Sequence, residues 1–226
     1  MSAGCTNAIW IILAGLLMSS LTITFHPGLA QENITNSPSV PSLTYSNSTS
    51  FDVSTIIPDI KAVVQFPAGW SGFANTAAPG AVNSYGVPQS TDPLDNVTMI
   101  VLGGNTTNFG RLFGLNGSNA ISFGDAMSKG QKNDECKSMT GLTDTFIHIS
   151  SIEGEKVVWQ CGTQGGTKYV AYVFASNNKN IIMPYFSGST LAVDHHLPKI
   201  EESIQKIQIE KPTSVKELIT VIGKSD

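Results

Sequence analysis

Residues 167–186 read Thr-Lys-Tyr-Val-Ala-Tyr-Val-Phe-Ala-Ser-Asn-Asn-Lys-Asn-Ile-Ile-Met-Pro-Tyr-Phe, two β-strands joined by a polar Asn-Asn-Lys-Asn turn. Aromatic and β-branched side chains suit a pleated, half-buried surface. Tyr169, Ala171 and Val173 alternate with Val170, Tyr172 and Phe174, and Ile181 and Met183 alternate with Ile182. Neither strand has a polar face. Such a hairpin must be covered on both sides, which places it centrally in a sheet with other elements above and below. Pro184 qualifies this placement, because it cannot donate to the ladder and so implies an edge, a bulge or a strand end.

Other strands surround the hairpin. Ile60, Ala62, Val64 and Phe66 share one face of a first strand, followed by a Pro67-Ala-Gly-Trp70 turn. Trp70–Phe73 starts a second strand, and Gly80–Val87 contributes a short third. Val97–Leu102 is a further strand, largely apolar on both faces. Thr145–Ser150 and Glu155–Cys161 form a hairpin that turns at Ile152-Glu-Gly154. Residues 103–120 are rich in Gly and Asn and read as a long exposed loop. They lack the Gly-Lys-Ser/Thr ending of a phosphate-cradling loop.

Helical periodicity is sparser. Residues 122–133 are a helix candidate, opening near Gly124-Asp125. His196–Ile207 carries Leu197, Ile200, Ile204 and Ile207 on one stripe, with Pro198 suited to the first helical position and Glu201, Glu202 and Lys206 matching the dipole. That stripe should cover one face of the hairpin. The folded domain is expected over residues 59–209. In the 210–226 tail, Ser214-Val-Lys-Glu217 forms a capping box ahead of Val215, Leu218, Ile219 and Ile222, with Gly223 as terminator. So short a helix is unstable alone. It docks on the domain or on something else.

The N-terminus points out of the cytoplasm. Residues 9–18 are continuously apolar, Leu21–Phe25 extend the run, and Gly28 and Ala30 precede Gln31 in the −3/−1 pattern of a secretory cleavage site. The alternative is a retained anchor over residues 9–25, roughly 25 Å as a helix. Residues 31–58, rich in Ser, Thr, Asn and Pro, read as a tether. Sequons at Asn33, Asn47, Asn96, Asn105 and Asn116 point to a glycosylated exterior. Removing the signal removes Cys5 and leaves Cys136 and Cys161, expected to pair as a disulfide in an oxidising compartment. Arg111 is the only arginine and no basic cluster exists, so nucleic acid is not an expected partner.

The order of elements resembles the PsbP-like family. The carrying residues are Phe66-Pro-Ala-Gly-Trp70, Tyr169–Phe174, Ile181–Tyr185 and Ser203-Ile204 in the closing helix. The resemblance implies an α+β fold, an antiparallel β-sheet of about six strands covered by helices in an α/β/α sandwich. It also implies a small extracytoplasmic accessory or binding domain rather than an enzyme.

No His-Glu-x-x-His, Gly-x-Ser-x-Gly or Cys-x-x-Cys motif occurs in the sequence, so these hydrolase, metalloprotease and thioredoxin-like signatures give no support. Asp194, His195 and His196 are the metal-ligand candidates, but adjacent side chains diverge on a helix or strand and do not make one site unaided. No cofactor or resident metal is expected. His148 reads as an exposed or hydrogen-bonded residue rather than a catalyst, and Trp70 and Trp159 as core. The expected function is that of a secreted or membrane-tethered, non-enzymatic module binding a protein partner. The alternative is a small-ligand or metal-binding protein using loops 103–120 and 187–196.

Overall fold

A computed structural model describes residues 45–46, 49–55, 57–70, 72–73, 82–85, 90–113, 115, 117–130, 136, 139–162 and 166–224. Residues 9–25, the Gly28–Ala30 site, Cys5, Asn33, Asn47 and Asn116 lie outside them. Among the described residues no helix is long and apolar enough to cross a membrane. In chain order come β1 (Tyr45–Ser46), β2 (Ser50–Asp52), a 3-10 turn (Val53–Thr55), β3 (Ala62–Gln65), β4 (Gly72–Phe73) and β5 (Val82–Tyr85). A second 3-10 turn (Pro93–Asp95), β6 (Val97–Asn105), α1 (Thr106–Phe113) and α2 (Phe123–Gly130) follow. Then come β7 (Met139–Ile149), β8 (Ile152–Cys161), β9 (Thr167–Ser176), β10 (Asn180–Ser189) and α3 (Thr190–Ile204). The chain closes with β11 (Gln208–Ile209), β12 (Pro212–Thr213) and α4 (Val215–Lys224).

The hairpin apolar on both faces is β9–β10, and it is central. The antiparallel sheet runs β5-β6-β10-β9-β8-β7, and β12 adds to the end of β9 past its pairing with β8. Pro184 therefore lies inside a central strand, not at an edge. The ladder absorbs it by a gap. β10 pairs with β9 at Ile182↔Phe174 and resumes at Tyr185↔Ala171 in the same register, without pairs at Met183 and Pro184.

Both faces are covered. On the first, Val170, Tyr172, Phe174, Ile182, Phe186, Val97, Met99 and Val101 pack with Ala192, Val193, Ile200 and Ile204 of α3. The small sheet β11-β3-β2 completes this layer with Phe51, Ala62 and Val64, and the first 3-10 turn adds Val53. On the second face, Ala171, Val173, Ala175, Ile181 and Met183 are buried beneath α1, α2 and α4. The result is α+β, an antiparallel sheet with helices on both sides.

Several boundaries differ from expectation. Phe51 and Val53, placed in the 31–58 tether, are core residues, because β2 pairs with β3 and turns Phe51 inward. Residues 103–113 are not a loop, whereas 115 and 117–120 are irregular as expected. β6 runs on to Asn105, and α1 follows with Phe109 buried and stacked on Phe113, which meets Phe123 of α2. Gly103 belongs in the strand because a Cβ there would lie 2.8 Å from Ile57 Cδ1. The β7–β8 turn falls at Ser150-Ser151, not at 152–154. Gly154 lies in β8, where a Cβ would lie 2.5 Å from Phe174 Cε1.

Helix α3 starts six residues before His196. Ser189 is its N-cap, its hydroxyl accepting the Ala192 N–H at 3.2 Å, so Pro198 is interior. Glu201 and Glu202 consequently sit near the C-terminal end, where they oppose the dipole. Glu201 pairs with Lys156 and Glu202 with Lys206. The tail belongs to the domain. Val215, Leu218, Ile219 and Ile222 are buried, and α4 packs on β8, β9 and α1.

Candidate functional site

The first turn of α3 leaves the sheet beside the second 3-10 turn. Asp92 caps that turn by accepting the Leu94 N–H at 2.9 Å, and this fixes the direction in which Asp95 leaves it. His196 faces inward from α3, only 2% exposed, and its Nε2 lies 2.7 Å from Asp95 Oδ1. The Trp70 ring meets the His196 ring edge-on at 5.4 Å. His195 stays exposed, its ring 5.0 Å from that of His196 and nearly perpendicular to it. The Ser90 hydroxyl and the His196 ring hold the Asp95 carboxyl below its ordinary value, so it is an ionised acceptor at neutral pH.

Of the three expected ligand candidates, the structure brings His195 and His196 together and diverts Asp194. Asp194 accepts an ion pair from Lys168 of β9. Asp95 takes its place, from a position 101 residues upstream. Among the described residues Trp70 Nε1 and His196 Nδ1 have no hydrogen-bond partner. A neutral His196 that donates Nε2–H to Asp95 keeps its one proton satisfied, which favours that tautomer.

A second polar cluster lies on the opposite face. Glu155 is fully buried and accepts the Phe123 N–H at 2.7 Å and the Gly124 N–H at 2.8 Å, so a strand residue caps α2. Burial pushes its carboxyl up to about 6, against the two amides, which pull it down. Ser122 accepts the Asp125 N–H at 2.9 Å and donates to Asp144. This is capping architecture: Glu155 and Ser122 accept the first amides of α2, and Asp144 accepts the Ser122 hydroxyl. Sequence reading missed it, although Glu155 alternates with Val157 and Trp159 on one face of β8, the pattern of an inward-facing carboxylate.

Cys136 is bonded to Cys161, the last residue of β8, with Cα atoms 5.0 Å apart. Trp159 is buried and stacks parallel on Tyr169 at 5.0 Å, while His148 is exposed. Asn96 and Asn105 are exposed. An open groove of about 300 Å³ runs along the small sheet beside Asp52, Lys61 and Glu210. Of the stretches expected to form ligand loops, 103–113 is β6 and α1 and 187–196 is the β10–α3 junction, while 115 and 117–120 are irregular.

No family model matches the chain, and no curated protein matches it. Among solved structures it is similar to a protein of unknown function from Pseudomonas aeruginosa described as a putative regulator, at 13% identity and a TM-score of 0.40, covering 67% of this chain and 92% of that one. It is also similar to the cyanobacterial PsbP of Synechocystis sp. PCC 6803, at 12% identity and a TM-score of 0.39, covering 79% of this chain and 98% of that one. Both are weak likenesses of fold.

Proposed function

We propose that the chain is a secreted or membrane-tethered, non-enzymatic module that acts by binding a protein partner. The Cys136–Cys161 bridge supports this reading most directly, because such bonds persist in oxidising compartments. It agrees with the apolar leader ahead of Gly28 and Ala30, with the sequons, and with exposed Asn96 and Asn105 as acceptors. The buried Ser122 and Glu155 accept amides of the first turn of α2, and the exposed Asp144 accepts the Ser122 hydroxyl, so these groups serve a helix end.

Two measurements test the reading together. Cross-linking on intact cells should give a heteromeric species containing this chain, and the purified chain should rebind the purified partner. A thermal-shift panel of small organic ligands should give no stabilisation. A bound small molecule would instead raise stability as RT ln(1 + [L]/Kd). Such a shift, without any cross-linked species, contradicts a protein-binding role.

A further inference from the structure

Asp95, His195 and His196 each offer one ligand atom, and these atoms all lie within 4.8 Å of one another. Neighbouring side chains on a helix diverge, so two adjacent histidines need a third group to converge on. The second 3-10 turn supplies it. Asp95 reaches His196 across the gap between that turn and α3, on the side that leaves His195 in solvent. Lys168 holds Asp194 away, so the local acid of the Asp-His-His run does not compete for the position.

We propose that Asp95, His195 and His196 form a binding site for a divalent transition ion of the zinc class, held by two imidazoles and one carboxylate with a further coordination position open to solvent. This stands apart from the protein-binding reading and does not depend on it. The donor set selects the metal. Imidazole suits zinc, copper and nickel, whereas calcium and magnesium call for oxygen shells.

The geometry needs little adjustment. Asp95 Oδ1 and His196 Nε2 are 2.7 Å apart. Two ligands on a tetrahedral ion, with bonds of about 2.0–2.1 Å, stand about 3.4 Å apart. The pair therefore opens by less than about 1 Å as the ion replaces the shared hydrogen, whose proton leaves to water. His196 is buried against Trp70 and is preorganised. His195 is exposed, so its ring can turn toward the ion without displacing packed neighbours. An ion so held ties the second 3-10 turn to α3, and its binding adds to the stability of the fold.

The test uses the purified chain without a histidine tag, titrated with zinc chloride by calorimetry, with cobalt as a spectroscopic reporter. One ion should bind per chain and raise the melting temperature. His195→Ala and Asp95→Asn should each weaken binding by at least about tenfold. His148→Ala and Asp194→Asn should leave it unchanged. Because His195 is exposed, its variant should fold, and it decides the case if Asp95→Asn does not. Absence of binding overturns the proposal. So does binding that survives His195→Ala, or binding that Asp194→Asn weakens as much as Asp95→Asn does.

Discussion

Glu155 holds the first turn of α2 from beneath, its two carboxylate oxygens 2.7 Å and 2.8 Å from the amide nitrogens of Phe123 and Gly124. A helix that opens with Phe-Gly and closes with Gly has little propensity of its own, so a buried strand carboxylate supplies its start. Glu155→Gln removes one acceptor and turns an NH2 toward an amide donor. The expected cost is about 1–3 kcal/mol, read as a lower denaturation midpoint with an unchanged slope.

The same residue gives a pH signature. Its folded-state value, about 6, lies above the ordinary 4.5, so the native state holds this proton more tightly than the unfolded chain. The contribution is fully present below pH about 4.5 and is lost as pH rises through about 6. A shift of this size corresponds to on the order of 2 kcal/mol. Unfolding free energies from urea titrations across this window should fall with rising pH by that amount in the wild type. The slope should be missing from Glu155→Gln; its persistence there would assign it to another group.

Gly154→Ala should destabilise the fold by roughly 1–3 kcal/mol, because the added methyl meets the Phe174 ring inside the core. Combining it with Phe174→Leu should recover part of the loss. Simple additivity in that double-mutant cycle would mean that the two side chains do not meet.

The tail helix should prove integral. Deleting residues 211–226 removes four buried aliphatic side chains, each worth about 1.5–3 kcal/mol, a sum that rivals the net stability of a domain. The truncated chain should fail to give a cooperative melt. Ser214→Ala is milder. It removes the oxygen that accepts the Glu217 N–H at 3.3 Å and donates to Glu153 at 2.8 Å, for about 1 kcal/mol. Full stability after deletion would place the helix outside the fold.

The fold was legible where burial left a period in the sequence. Tyr169–Phe174 and Ile181–Met183 announce a doubly covered hairpin, and Ile200 and Ile204 announce the helix over it, which ends at Ile204, short of the expected Ile207. Phe109 and Phe113, four residues apart, are the trace of α1, but Gly103, Gly104 and Gly110 masked it, since tertiary packing rather than propensity holds those glycines in place. Pro198 misplaced the start of α3. Proline favours a first turn, yet the Ser189 cap outweighed it. The candidate site was half legible. His195 and His196 stood out, but Asp95 converges on them only through the fold, and no local spacing encodes a contact 101 residues long.

The most direct test of an extracytoplasmic, disulfide-closed domain is peptide mass spectrometry of the native protein, alkylated at lysis without reductant. The peptides containing Cys136 and Cys161 should appear as one linked species, and the bridge should be worth roughly 3–4 kcal/mol for a closed loop of 25 residues. The same map should begin at Gln31 if the leader is cleaved, or retain residues 9–25 if it anchors the chain. Recovery of the two cysteine peptides separately, each alkylated, would contradict the bridge and with it the placement outside the cytoplasm.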